Sequence, residues 1–286
     1  MDILFIGSSG ALSLTPFKSL LSSSHRISAV ATHRLLAFEN KIIALENESL
    51  ALAARQFDIP VIDMSQPVNA IVKQLSDHQF DVILMSCFGK RLPAEIINLP
   101  AAGCYNMHPS LLPAYRGPEP IFWQLKYGAE LGVSWHRVVN EFDAGNIVAQ
   151  QEVKLEDGAS YHEISSKLAE KGAQLMLRFL SELDSGRLAA VPQGNNLASY
   201  HPYPSATDFD IDTRYSARQL YNFMRGTEAY AQPYRYLSDS QHFFLDKPLG
   251  YDADRTIQST RVEHDRLYIP CNGGVLIASY TDKITI

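Results

Sequence analysis

The sequence predicts an α/β protein: a parallel-rich sheet with helices on both faces, followed by a small β-rich C-terminal domain. Three observations carry this. Short apolar runs at residues 3–6, 27–31, 59–62 and 81–86 alternate with helical patterns at 14–21, 49–56 and 68–75. That alternation is the signature of parallel strands joined by covering helices. The pattern then changes to short β-like runs at 243–245, 267–269 and 274–279. Finally, 286 residues with 46% hydrophobic content suffice for one large domain and a smaller one.

Taken in order, the first apolar run ends in Gly7-Ser8-Ser9-Gly10. This is not the Gly-x-Gly-x-x-Gly dinucleotide fingerprint; it is either a plain turn or a wall of a binding site. The helix at 14–21 carries Pro16, which a first turn tolerates. The run at 81–86 (DVILMS) stops at Cys87-Phe88-Gly89, and parallel sheets place ligands at such carboxyl ends. Ser160 with Glu163 forms a capping-box pattern, in which each side chain satisfies the other's backbone N–H. Ile164, Leu168, Leu175 and Phe179 repeat at helical spacing, and Gly186 supplies the left-handed stop. A second capping-box pattern, Ser216 with Gln219, opens a helix ending at Gly226. Residues 190–206 are rich in turn formers. The expected domains are 1–189 (catalytic), 190–207 (linker) and 208–286 (C-terminal).

The formal net charge is −6, so a strongly basic partner-binding protein is not indicated, and nucleic-acid binding would need a local basic patch. The opening residues lack the basic region of a signal peptide, and no apolar stretch is long enough to cross a membrane. Three widely spaced cysteines, Cys87, Cys104 and Cys271, form no Cys-x-x-Cys pair. Reduced thiols in a cytoplasmic protein are the plain expectation, and no Cys/His cluster offers a metal site.

Two clusters carry chemistry. In residues 105–123 (YNMHPSLLPAYRGPEPIFW), a strand ending at His108 would point Asn106 and His108 to one face. Pro109 then ends regular pairing. An amide and an imidazole side by side can both donate to an oxyanion. Alternatively, Asn106 is a turn residue and His108 a satisfied core histidine. In residues 132–145 (GVSWHRVVNEFDAG), Asp143 before Ala144-Gly145 marks a turn; brought near His108, it would favour and orient the imidazolium.

Together the clusters resemble the folate-dependent formyltransferase family. The resemblance rests on Asn106-Met107-His108-Pro109-Ser110-Leu111-Leu112-Pro113, then Tyr115-Arg116-Gly117, Gly132-Val133-Ser134 and Phe142-Asp143-Ala144-Gly145. The N-terminal Ile3-Leu4-Phe5-Ile6-Gly7 and residues 81–93 share it. It implies a Rossmann-like catalytic domain and 10-formyltetrahydrofolate as formyl donor. It implies that charged His108 and Asn106 stabilise the oxyanion while Asp143 holds the imidazolium and helps the proton leave the amine. It also implies donor contacts at Cys87, Phe88, Gly89 and Leu92, at Ser110, Leu111, Leu112 and Pro113, and at Val139, Asn140 and Glu141. Acceptor contacts are expected at Ser8, Ser9 and Gly10. Cys87 as a covalent nucleophile is set aside, because direct transfer needs no enzyme-bound intermediate.

The acceptor is read from two features. The family's tRNA enzymes carry a basic insertion after the second strand, whereas residues 34–49 (RLLAFENKIIALENES) are net acidic. The Phe122-Trp123 pair looks like sugar-amine enzymes, or is ordinary helix packing. A small amine is therefore expected: an amino sugar on a nucleotide carrier, or an amino-acid-derived amine. The alternatives are a methionyl-tRNA formyltransferase and a hydrolase releasing formate. Tyr221, Phe223, Tyr230, Tyr234 and Tyr236 stack on the acceptor or belong to the core. The oligomeric state, a homodimer included, stays open.

Overall fold

The computed structural model describes residues 1–33, 41–43, 49–238 and 241–285. Most of the acidic stretch at 34–49 therefore lies outside the described residues. The N-terminal sheet contains β1 (Asp2–Gly7), β2 (Arg26–Thr32), β3 (Val61–Asp63), β4 (Val82–Ser86), β5 (Cys104–His108), β6 (Gly132–Arg137) and β7 (Ile147–Glu152). Their order is β3-β2-β1-β4-β5-β6-β7. The first five are parallel, and β6 and β7 are antiparallel additions at one edge. Helices α1 (Gly10–Leu21), α2 (Leu50–Arg55), α3 (Val68–Ser76), α4 (Ala94–Ile97), α5 (Pro120–Tyr127) and α6 (Tyr161–Asp184) connect or cover the strands.

Side-chain alternation divides the core in two, as a period of two requires. Ile3, Phe5, Val82 and Leu84 pack with α1 and α6 on one face. Leu4, Ile6, Ile83 and Met85 pack with Ile71 and Leu75 of α3 on the other. Helix α1 starts earlier than the sequence predicts, which moves Pro16 from the first turn into the interior. A proline there deprives the carbonyl four residues back of its N–H. That carbonyl, on Leu12, accepts the Ser86 hydroxyl instead, at 2.6 Å. Ser13 returns a bond from its hydroxyl to the Ser86 carbonyl at 2.9 Å. The missing helix bond is thus replaced by a cross-link between α1 and the end of β4.

Helix α6 opens with both bonds of the Ser160–Glu163 capping box and stops before Gly186, whose φ is 68°. It lies close against β5 and β6 at Gly172. The Trp135 Nε1–H donates to the Gly172 carbonyl at 2.8 Å, and a Cβ at Gly172 would fall 2.1 Å from the Met107 sulfur.

The C-terminal part begins with α7 (Ala217–Gly226) and forms an antiparallel sheet from β8 (Tyr234–Ser238), β9 (Gln241–Asp252), β10 (Arg261–Glu263), β11 (Arg266–Pro270) and β12 (Val275–Thr285). Ser216 caps α7, but only half of the expected capping box forms. The Gln219 side chain turns away and donates to the Lys126 carbonyl, at 2.8 Å. It thereby ties α7 to α5. Lys126 itself pairs with Asp208, at 2.8 Å. Phe223, Tyr230, Tyr234 and Tyr236 are buried, so the core alternative holds for them, and Tyr221 packs on Tyr251. Phe122 sits in the same aromatic cluster, with Phe209, Phe223 and Tyr230 around it. Trp123 stacks on His201 and donates to the Pro202 carbonyl. The Phe122-Trp123 pair is therefore helix packing and carries no information about an acceptor.

Met107 is 2% exposed, and its sulfur stands where the new methyl group would go. Gly172→Ala is expected to cost about 1–3 kcal/mol by overpacking. Denaturant unfolding checks this; an unchanged midpoint would contradict the close packing of α6 on β5.

Candidate functional site

Asn106 and His108 stand two residues apart on β5 and are nearly buried, at 8% and 4% exposure. They are backbone partners of His136 and Ser134 on β6. The His136 Nδ1–H donates to the Arg137 carbonyl at 3.0 Å, which leaves Nε2 to accept an amide N–H from Asn106 at 3.1 Å. An amide carries two such N–H groups, so one remains for a ligand. The His108 Nε2–H donates to the Tyr115 carbonyl at 2.8 Å. That bond leaves Nδ1 facing Asp143.

Asp143 reaches this cluster from the loop after β6. Its backbone is left-handed, with φ 52°, a conformation aspartate tolerates better than most residues. Turn former and site residue thus coincide in one position. Its Oδ1 lies 3.6 Å from His108 Nδ1 and 3.4 Å from His136 Nε2. Its Oδ2 accepts the Gly117 N–H at 2.9 Å. Gly117 has φ +114°, and a Cβ there would sit 2.1 Å from the His201 carbonyl oxygen; only glycine fits both demands.

Burial favours the neutral form of Asp143, but the His108 and His136 imidazoles and the Gly117 amide outweigh it. The carboxyl is left below the ordinary carboxylate range. Burial likewise disfavours charge on His108, and here it prevails: Asp143 and the Tyr115 carbonyl oppose it without cancelling it. The imidazole is held below its ordinary value. Burial thus works against the charged His108 that the resemblance implies, and Asp143 works for it.

A cleft of about 270 Å³ opens over this cluster. One set of lining residues comes from the end of β4 and the loop after β6. It includes Phe88, Leu92, Val139, Asn140 and Glu141. These two segments are joined where Arg91 donates to the Asn140 carbonyl and lies over the Phe142 ring. Cys87 and Gly89 also line the cleft. The second set includes Ser8, Ser9, Glu119, Tyr161, Tyr200 and Tyr203. Ser110, Leu111, Leu112 and Pro113 do not line it. They fold back on β6: Ser134 donates to the Ser110 carbonyl and accepts from the Leu112 N–H, and Leu111 packs over Gly132. Gly10 starts α1 and stays out of the lining as well. The other two thiols are far from reactive: burial pushes Cys104 up to about 12 and Cys271 up to about 11.

Four contributors escape the sequence reading. His136 could have been found, since a strand through 132–137 puts it opposite Asn106. Gln193 could not. It lies in the expected linker, yet its amide donates to the Asp143 and Gly145 carbonyls and its oxygen accepts from Arg116. Tyr200 and Tyr203 share that segment and line the cleft. Residues 190–206 are therefore pinned to the site, with an added bridge between Arg116 and Tyr200.

Residues 30–180 match the formyl transferase family. A methionyl-tRNA formyltransferase of Sulfurihydrogenibium sp. is 29% identical over 251 residues, covering 86% of this chain and 79% of that protein. Among solved structures, an N-formyltransferase from Helicobacter canadensis, in complex with folinic acid and dTDP-3-aminofucose, superposes with a TM-score of 0.73. It is 16% identical, and 98% of this chain and 99% of that one are covered. A methionyl-tRNA formyltransferase from Clostridium thermocellum gives a TM-score of 0.58 at 15% identity, with both chains fully covered. The chain belongs to the formyl transferase family. It is a formyltransferase with a Rossmann-like α/β domain and an additional antiparallel C-terminal sheet. Among the described residues no helix is long and apolar enough to cross a membrane.

An NMR titration of the His108 ring is expected to give a midpoint below the ordinary 6.5. Asp143→Asn removes an opposing charge, so it should lower that midpoint further. A midpoint above 6.5 in the unaltered protein would contradict the burial argument.

Proposed function

We propose that the protein moves a formyl group from 10-formyltetrahydrofolate to the amine of a small acceptor, an amino sugar on a nucleotide carrier or an amino-acid-derived amine. The observation that carries the chemistry is the buried meeting of Asn106, His108 and Asp143 at the cleft floor. The donor fits the first set of lining residues. Phe88, Leu92 and Val139 offer flat apolar contact, and backbone groups along 87–92 and 139–141 offer hydrogen bonds to a heteroaromatic edge.

The donor supplies the formyl carbon and leaves through its N10. As the amine adds, charge grows on the formyl oxygen, and Asn106 has an amide N–H to give it. The amine must lose a proton in the same passage. His108 takes it at Nδ1, and the resulting imidazolium faces the Asp143 carboxylate. The proton is then available to the departing nitrogen, which balances the exchange. Asp143 is fixed by Gly117 and does not need to move. With the Nε2–H given to the Tyr115 carbonyl, Nδ1 is the nitrogen that takes the proton.

The second set of lining residues supports a small acceptor. It presents tyrosines, serines and Glu119, while Lys90 and Arg91 line the donor side. A tRNA acceptor stem would be met by basic groups. A specific observation favours the second reading, methionyl-tRNA as acceptor: the Sulfurihydrogenibium relative, which matches most of this chain, carries that name.

The test is incubation with 10-formyltetrahydrofolate and either dTDP-3-aminofucose or methionyl-tRNA, following tetrahydrofolate release. The expected result is formylation of the amino sugar with no salt-sensitive tRNA binding. Formylation of methionyl-tRNA alone would transfer the conclusion to the second reading, and formate release without any amine would reveal a hydrolase. His108→Ala is expected to lower kcat by about 10²–10⁴-fold as a lost proton acceptor. Asn106→Ala is expected to lower it by about 10²–10³-fold as a lost oxyanion donor. Full turnover in either variant would refute the assigned role.

A further inference from the structure

The cleft does not end at the donor side. A second, open recess adjoins it, and Arg91, Asn140, Glu141, Phe142 and Tyr200 line both. Arg116 and Ala144 line the recess alone. The chain places this recess beside the chemistry. Ala144 follows Asp143, and Arg116 precedes Gly117, whose N–H is given to the Asp143 carboxylate. Consecutive residues are about 3.8 Å apart, so both stand one step from the reacting cluster. The Arg116 charge is accordingly felt at His108, where it opposes the imidazolium.

Two guanidiniums face the recess. Arg116 gives its Nε–H and an Nη2–H to the Gln193 side-chain oxygen, at 3.1 and 2.6 Å. Arg91 gives an N–H to the Asn140 carbonyl. A guanidinium has five N–H groups, so most remain on each. Both partners are neutral oxygens, and among the described residues neither guanidinium is paired with a carboxylate. Glu141 is the one acid among the described residues of the recess, and Lys90 adds a positive charge on the cleft side. This lip is therefore cationic on a chain whose formal net charge is −6. Phe142 and Tyr200 are 50% and 58% exposed, so the shared wall also offers bare aromatic surface.

We propose that Arg91 and Arg116 anchor the anionic tail of the formyl donor: they take its glutamate carboxylates and favour donors extended by further γ-linked glutamates. This rests on the reading of the cleft as the donor site. In 10-formyltetrahydrofolate a benzoyl ring and an amide separate N10 from the glutamate. With N10 at the reacting cluster, the ring lies along Phe142 and Tyr200 and the carboxylates reach the guanidiniums. A planar guanidinium fork matches a carboxylate in shape as well as charge. Each added glutamate brings another negative charge, so the recess turns tail length into affinity. The diphosphate of a sugar-nucleotide acceptor carries similar anionic oxygens, and the experiment separates the two sources.

The experiment is calorimetric binding to the full chain of folinic acid, of its analogue lacking the glutamate, and of its triglutamyl form. It is run at about 0.1 M and about 1 M salt, between which the screening length falls from about 10 Å to about 3 Å. At the lower salt the unaltered protein should bind folinic acid about threefold to tenfold more tightly than the analogue, the range for charged hydrogen bonds that solvent still reaches. The triglutamyl form should bind more tightly again, and both margins should shrink at the higher salt. Arg91→Gln and Arg116→Gln should each reduce the margins, with the analogue's affinity as the reference for any damage to the fold. Arg91→Lys should keep part of them. Glu141→Gln removes the opposing acid and should widen them. The affinity for dTDP, measured with folinic acid present, should stay within about twofold in both glutamine variants.

Margins unchanged in both glutamine variants overturn the assignment; if dTDP weakens in them instead, the recess serves the acceptor's diphosphate. Equal affinity of the unaltered protein for all three forms, or margins indifferent to salt, also overturns it and leaves the donor site standing. Failure of all three forms to bind overturns the donor reading, and the assignment with it. A purely structural role for the arginines would lower affinity for all three forms by one factor and leave the margins as they were.

Discussion

Asp143 carries a negative charge in a place where water is scarce, and the surrounding structure is arranged to satisfy that charge. A buried carboxylate is tolerable only when its oxygens are occupied. Gly117 donates to one oxygen, and the other faces the His108 ring, where it favours the imidazolium. Each partner imposes a further condition. Gly117 must be glycine, because its backbone is left-handed and His201 lies against it. The Asp143 backbone must itself be left-handed, and Gln193 clasps the carbonyls of Asp143 and Gly145 to keep it so. The single charge therefore recruits three separated stretches of chain.

The same logic extends outward to the fold. His108 and His136 hold their positions because β5 and β6 are register partners near the sheet edge. That edge is covered by α6, which approaches closely at Gly172. On the far side of β5, the cross-link from Ser86 to Leu12 fixes the end of β4, where the donor side of the cleft begins. The C-terminal sheet looks remote from all this, but its aromatic cluster encloses Phe122 of α5 and presents Tyr230 to Glu119. The two cores thus meet at one helix, α5.

Much of this was legible in the amino-acid sequence, and the reasons are physical. Asn106 and His108 follow from the period of a strand, and β1 to β5 follow from apolar runs between helices. The long helix α6 was legible because its caps are local, with Ser160 and Glu163 three residues apart. What stayed hidden depends on distant contacts. Gln193 reads as one more polar residue in a turn-rich segment, although it spans fifty residues to reach Asp143. Gln219 reads as half of a capping box and bonds another helix instead. Ser110 to Pro113 carry the strongest family pattern, yet they support β6 and stay away from the cleft. The balance of influences on His108 stayed hidden for a related reason: spacing shows which residues meet, while burial, which weighs against charge on the ring, is a property of the assembled fold.

The central claim is that His108 and Asp143 act as one unit, with the carboxylate stabilising the proton that the imidazole accepts. Groups that act as a unit are strongly non-additive when removed separately and together. The direct measurement is a kinetic double-mutant cycle with His108→Ala, Asp143→Ala and the double variant, read as kcat for formyl transfer. The account predicts that the double variant is about as impaired as His108→Ala alone, because Asp143 has nothing left to stabilise. Losses that multiply, each variant reducing kcat by the same factor whether or not the other residue is present, would contradict it.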